Sequence, residues 1–336
     1  MSVDSKIEWT DATWNPVSGC TRVSAGCDHC YAVQQTYRMG RMGLIAKYDG
    51  LTVLNGKGDR HFNGVVRTHE DALDIPLKRR KPTVYFVNSM SDLFHKDVPF
   101  EFIDRVFAVM ALCPQHTFQV LTKRPERMAE YTQRYCKDGI ASWPTDAGGR
   151  IHRHPWIVAG RELAKGRGSK LMNDAAVVAV PLPNVWLGTS CEDQATADER
   201  IQHLLRCPAA VRFLSLEPLL SKVTLWPWLN EPESYSIHGR PKRASGASMG
   251  IGPSPIHWVI VGGESGPKAR PCDVGWIRSI IEQCKAAGVR CFVKQLGSRP
   301  YENEHIGKLP GAAMKHPKGG DPSEWPDDLR VREFPQ

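Results

Sequence analysis

The chain has 336 residues, 41% hydrophobic and 24% charged, the make-up of an ordinary folded globular protein. No apolar run approaches the roughly 20 residues a membrane-spanning helix needs. The N-terminal MSVDSKIEWTDATW lacks the charged-then-apolar layout of a signal peptide, so a cytoplasmic location is expected. The net charge of +8 favours a polyanionic partner, with the cations dispersed except at Lys78-Arg79-Arg80-Lys81 and around residues 150–170.

In chain order, the first candidate strand is ATWNPVSG (12–19), and it leads directly into SGCTRVSAGCDHCYA (18–32). Cys20, Cys27 and Cys30 are spaced C-x6-C-x2-C within eleven residues. The other seven of the ten cysteines are scattered and read as reduced, buried hydrophobes. Short β-type runs then recur: TVYFVNSMSD (83–92), TFQVLTKRP (117–125), NVWLGTSCED (184–193), VRFLSLEPL (211–219), HWVIVGGESG (257–266) and VRCFVKQLG (289–297). Between them, residues 99–113, 196–207 and 273–288 carry one-faced helical patterns, the last closing at Gly288.

This alternation predicts an α/β fold: a partial or full (β/α) barrel of about six to seven parallel strands in a single domain over 1–336. An open doubly wound sheet is the alternative. Residues 137–183 and 228–256 break the beat and read as insertions, and 299–336 as a C-terminal extension. In a βα barrel the active site forms at the C-terminal ends of the strands. Those ends carry Asn88, Ser89, Ser91 and Asp92; Thr122, Lys123 and Arg124; Thr189, Ser190 and Glu192; Ser215 and Glu217; Glu264 and Ser265; Lys294 and Gln295. The cysteine loop follows the first strand onto the same face.

Three clustered thiols admit more than one chemistry. Structural zinc wants four protein ligands; His29 sits badly within the Cys27–Cys30 knuckle, which leaves His61 or a distant cysteine as the fourth. A disulfide or a purely structural cluster is a further option. A [4Fe–4S] cluster held by three cysteines keeps one iron open, the arrangement that S-adenosylmethionine requires.

The motifs IEWTDATWNPVSGCTRVSAGCDHCYA, NSMSDLFH, LTKRPERM, NVWLGTSCED, FLSLEPLL, WVIVGGESG and FVKQLG closely resemble a phage- and prophage-associated family of unassigned function, over residues 7–298. Gly26-Cys27-x-x-Cys30-Tyr31, the barrel pattern and the LTK strand in turn resemble radical S-adenosylmethionine enzymes, nearest the spore photoproduct lyase branch. That second resemblance implies a [4Fe–4S] cluster on Cys20, Cys27 and Cys30, with S-adenosylmethionine cleaved to a 5′-deoxyadenosyl radical. It also implies a reductase or other electron donor, and DNA or a nucleotide as the substrate of a repair or base-modifying reaction.

The chain departs from that pattern in three ways. The usual spacing is C-x3-C-x2-C, His29 replaces an aromatic residue, and Gly262-Gly263-Glu264 lies late in the chain. Either Asn88, Ser89 and Asp92 take over the missing Gly-Gly-Glu role, or the cofactor is held differently. Lys123 or Arg124 would pair with the cofactor carboxylate, and Ser190 and Glu192 with ribose hydroxyls. Arg200 would pair with Glu192 or Glu217. His29 and Tyr31 would lie beside the cofactor, although Tyr31, Trp14 and Trp186 are equally readable as core. Two other classes of function stay open: a zinc- or Fe–S-stabilised nucleic-acid-binding module without radical catalysis, and a barrel enzyme using Glu192, Glu217, Glu264 and Lys294 as acid–base groups.

Overall fold

All seven expected strands join one sheet in a computed structural model, which describes residues 5, 7–43, 45–134, 155–165, 181–229, 256–302 and 314–335. They are β1 (Ala12–Trp14), β2 (Val84–Val87), β3 (Thr117–Thr122), β4 (Val185–Ser190), β5 (Val211–Leu216), β6 (Trp258–Gly262) and β7 (Arg290–Gln295). Their order in the sheet is their order in the chain, and every neighbouring pair is parallel. A doubly wound sheet reverses its strand order at a switch point. There is no reversal here, so the open alternative is excluded. The sheet curls into a half-barrel in which β1 and β7 are the two edges.

The helices follow from local signals. α1 (Tyr31–Arg41) begins directly after Cys30. α2 (Phe100–Ala111) buries Phe102, Ile103, Val106, Phe107, Val109 and Met110 on one face. α3 (Pro125–Gln133) starts with Pro125 in its first turn, where a missing N–H costs nothing. α4 (Pro155–Ala164) falls within the expected first insertion, and its Trp156 stacks on Phe107 of α2 at 4.9 Å. α5 (Gln194–Leu205) is closed by an Asp193–Thr196 capping box. In α6 (Val274–Ala286) the Asp273 carboxylate accepts from the Gly275 N–H at 2.9 Å. Gly288 then turns the chain at φ +67°. Residues 137–154 and 166–180 of the first insertion, and 230–255 of the second, lie outside the described residues.

Alternation along the strands divides the core in two. Tyr85, Val87, Val259, Val261, Cys291 and Val293 face the helices in the main core. Phe86, Phe213, Trp258, Ile260 and Phe292 point to the concave side, where Trp9 joins them. Trp14 is fully buried, with its indole N–H on the Ala72 carbonyl at 2.8 Å, and Trp186 is partly buried against the concave cluster. The C-terminal segment covers the outer edge of β7: Val293 N–H donates to Val331 O and Glu333 N–H to Cys291 O, both at 2.8 Å. That pairing protects an edge otherwise open to other strands.

Gly188 of β4 leaves room for this aromatic filling, since a Cβ there would lie 2.6 Å from the Phe213 ring. Gly188→Ala should therefore cost about 1–3 kcal/mol by overpacking, read as a lower urea midpoint at unchanged slope. Combined with Phe213→Leu, the cost should be markedly less than additive. Full additivity would place the strain elsewhere.

Candidate functional site

The cysteine loop (residues 20–30) lies over the polar ends of the strands and is tied to them on three sides. On the first side, Asn88 follows β2 in a left-handed conformation (φ +59°), which an Asn tolerates better than most residues. Its N–H donates to the Trp14 carbonyl at 2.7 Å, and its Oδ1 accepts from the Val17 N–H at 3.2 Å. Ser91 Oγ donates to the Val17 carbonyl at 2.8 Å, and Ser89 Oγ to Asn15 Oδ1 at 3.2 Å. These contacts aim the segment that enters at Cys20. Tyr31, 56% exposed, donates its hydroxyl to the Ser89 carbonyl at 2.6 Å.

The second tie is built on Asp92 and Arg124. The buried Asp92 carboxylate accepts from Thr122 Oγ1 at 2.7 Å, Lys123 N–H at 3.2 Å and Arg124 Nη1 at 2.8 Å. So fixed, Arg124 donates to the Thr21 carbonyl at 3.0 Å and Oγ1 at 2.8 Å, and lies 3.8 Å from Cys20 Sγ. His95, fully buried, accepts the Asp97 N–H at Nδ1 (3.2 Å), so its proton sits on Nε2, 2.8 Å from Thr21 Oγ1. Burial, and then Arg124, push the imidazole pKa down, which favours this neutral form.

The third tie is Glu192, which has no solvent exposure. Its carboxylate pairs with Lys123, accepts from Arg200 Nη1 at 3.0 Å and from Ser24 Oγ at 3.0 Å. Arg200 also donates to the Ser190 carbonyl at 2.8 Å. Gly26 packs against this carboxylate so closely that a Cβ would fall 2.3 Å from Oε1. Opposite it, Glu264 accepts from Arg270 Nη2 at 2.6 Å and stands 3.1 Å from His29 Nδ1. Lys294 pairs with Glu217 at 3.0 Å.

The thiols themselves are half-buried and free. Burial is the largest cause that pushes Cys20 up to about 12; Asp92 adds to it, Arg124 opposes it, and the charge of Cys30 adds further. Cys30 is raised by burial and by the charge of Cys27. Cys30 thus lies within electrostatic reach of both Cys20 and Cys27. Among the described residues, no three His, Cys, Asp or Glu side chains are gathered as ligands of a single metal ion. His61 lies exposed on a hairpin, its Nδ1 2.8 Å from its neighbour's carbonyl at Phe62.

The structure thus brings all the expected strand-end residues to one mouth. It engages Asn88, Ser89, Asp92, Lys123 and Glu192 with protein partners, and Ser190 through its carbonyl. Thr21, Ser24, His95 and Arg270 carry as much of the arrangement and were not singled out from sequence. The small polar residues between Cys20 and Cys27 were the available signal.

These features define an α/β half-barrel whose mouth is covered by a three-cysteine loop. A family described as "Protein of unknown function (DUF5131)" matches residues 4–318, and the chain belongs to it. No curated protein matches. Among solved structures, a spore photoproduct lyase variant with bound AdoMet and dinucleoside spore photoproduct is similar at TM-score 0.33 and 10% identity, over 65% of this chain and 48% of that one. The match spans about half the length of that enzyme, a likeness too slight to carry an argument.

Two expectations follow from the buried charges. Glu192→Ala leaves Lys123 and Arg200 without their counter-ion and should cost roughly 3–5 kcal/mol in denaturant unfolding; a cost under about 1 kcal/mol would show that the loop does not depend on this clamp. Burial would raise the Glu264 carboxyl, but hydrogen bonds from Arg270 and His29 outweigh it and hold its pKa below the ordinary 4.5. A depressed carboxyl adds stability above its unfolded pKa and loses it as pH falls through the folded one. The stability gap between wild type and Glu264→Gln should therefore be full at neutral pH and close below pH 4.5. A gap independent of pH would contradict this.

Proposed function

We propose that this protein holds a [4Fe–4S] cluster through Cys20, Cys27 and Cys30, binds S-adenosylmethionine beside it, and carries out radical chemistry on a nucleic acid or nucleotide. The observation that carries the reading is the arrangement of the thiols. They share one loop at the mouth of a parallel half-barrel, with Cys30 in electrostatic reach of both Cys20 and Cys27. The donor set fits: three thiols that give up protons to a metal, with no fourth cysteine on the loop.

A cluster and S-adenosylmethionine held there would, with an external electron donor, supply a carbon radical for hydrogen abstraction. The chain's own residues have defined tasks around that chemistry. Arg124 places a cation beside Cys20 and counters the negative charge of a thiolate there. Ser24 and Gly26, against Glu192, fix the loop between the first and second ligands. Glu264 orients His29 between the second and third. The net charge of +8 supports a polyanionic substrate.

Anaerobic reconstitution with iron and sulfide should give a brown protein with about four irons per chain. Reduction in the presence of S-adenosylmethionine should release 5′-deoxyadenosine. Cys27→Ala should abolish both, while Cys113→Ala, in the helix-side core, should keep the iron. A colourless protein that takes up one zinc and no iron would replace this reading with that of a metal-stabilised binding module.

A further inference from the structure

The segment from Cys30 to His69 leaves the mouth as α1 and returns as a hairpin of Thr52–Leu54 and Arg60–Phe62. The hairpin packs along α1. Its turn reaches back to the mouth: Asp59 pairs with Lys268, in the loop after β6, and lies within electrostatic reach of His29. This excursion is not a helix–strand unit of the barrel; it packs on the rim, where Ala32, Tyr48 and Leu51 cluster with Met90.

Its chemistry is one-sided. Between Cys30 and His69 there are six Lys or Arg residues, Arg38, Arg41, Lys47, Lys57, Arg60 and Arg67, against Asp49 and Asp59. Asp59 is already paired. The solvent face of α1 displays Tyr31, Gln34, Gln35, Arg38 and Arg41 at helical spacing, and the helix contains no acidic residue. Arg38, Arg41 and Lys57 are exposed and make no ion pair among the described residues. Arg60 lies 3.4 Å over the Tyr37 ring, and Arg41 Nη1 donates to the Tyr37 hydroxyl at 2.7 Å. At the mouth end of the same face, Tyr31 offers an exposed ring one residue from Cys30.

Unpaired cations beside an open aromatic ring are the two elements of a single-strand nucleic-acid surface, one for phosphates and one for bases. We propose that the exposed face of α1 and the 52–62 hairpin form such a surface, with phosphates on Arg38, Arg41 and Lys57 and a base over Tyr31 at the edge of the cysteine loop. The proposal deepens the substrate half of the proposed function and rests on it only for what happens to the delivered base. An acidic protein would use the cations but would have no use for the ring at their end.

The test is fluorescence anisotropy of the full chain, reconstituted and as purified, with a labelled single-stranded oligonucleotide across a salt series. Binding should weaken with salt, and Arg38→Ala/Arg41→Ala/Lys57→Ala should reduce the log–log slope by about 2, at roughly 0.7 per phosphate lost. The comparison variant Lys78→Ala/Arg80→Ala/Lys81→Ala, at the opposite ends of the strands, should keep the slope. Tyr31→Ala should weaken binding roughly tenfold, within the range for loss of one stacked base, and abolish quenching of a 2-aminopurine probe; Tyr31→Phe should retain both. Circular dichroism of each variant checks its fold.

Three results would overturn the proposal: no oligonucleotide binding, loss of the slope only in the 78–81 variant, or equal binding of polyglutamate with no effect of Tyr31→Ala. Iron content separates the two readings. Binding by a chain that takes up no iron would defeat the radical chemistry and leave the surface standing, whereas a brown, cofactor-cleaving chain that ignores oligonucleotides would do the reverse.

Discussion

The carboxylate of Glu192 is the constraint on which the mouth depends. A fully desolvated charge is tolerated only when paired and hydrogen-bonded. Glu192 meets that condition with a lysine from the end of β3, an arginine from α5 and a serine from the cysteine loop. Each partner comes from a different element, so one ionic centre fixes the relative positions of three. The absence of a side chain at Gly26 is part of the same solution, because the loop backbone must come within contact of that carboxylate.

The strands serve two purposes along their length. Their starts and middles contribute Phe86, Phe213, Trp258, Ile260 and Phe292 to an apolar filling on the concave side. Their ends contribute the carboxylates and cations described above. A half-barrel with sequential parallel strands has all its C-terminal ends on one rim, so the polar residues meet there without any further device. Low-dielectric filling beneath the rim strengthens the charge interactions at it.

The fold was legible because its signals are local. Period-two runs of Val, Phe, Ile and Trp located the strands, and polar residues followed each run. Strand order was not legible, since a doubly wound sheet can be written with the same alternation; the pairing of β3 with both β2 and β4, which leaves β1 at an edge, decided it. The site was legible in residue type and, for Arg200 with Glu192, in partner. Asp92 and Glu192 read as groups facing a cofactor because they end strands, and the structure adds Thr122, Arg124 and Lys123 as partners that the sequence did not show. A strand end shows where a carboxylate is rooted, and only the fold shows what fills its lone pairs. The hairpin was missed although NGKGD, with two glycines, is a turn signal between short β-type runs. Attention to the βα alternation alone passes over a segment that interrupts it.

The long first gap of the cysteine motif has a physical reading in this light. Thr21 is held by Arg124 and His95, Ser24 by Glu192, and Gly26 is pressed against the same carboxylate. Residues in the gap thus anchor the loop at both ends, first to the β2–β3 rim and then to the β4 rim. A three-residue gap could not hold Thr21, Ser24 and Gly26 at these separations along the chain. The six residues between Cys20 and Cys27 are therefore the span that lets one loop touch two sides of the mouth while it presents its thiols between them.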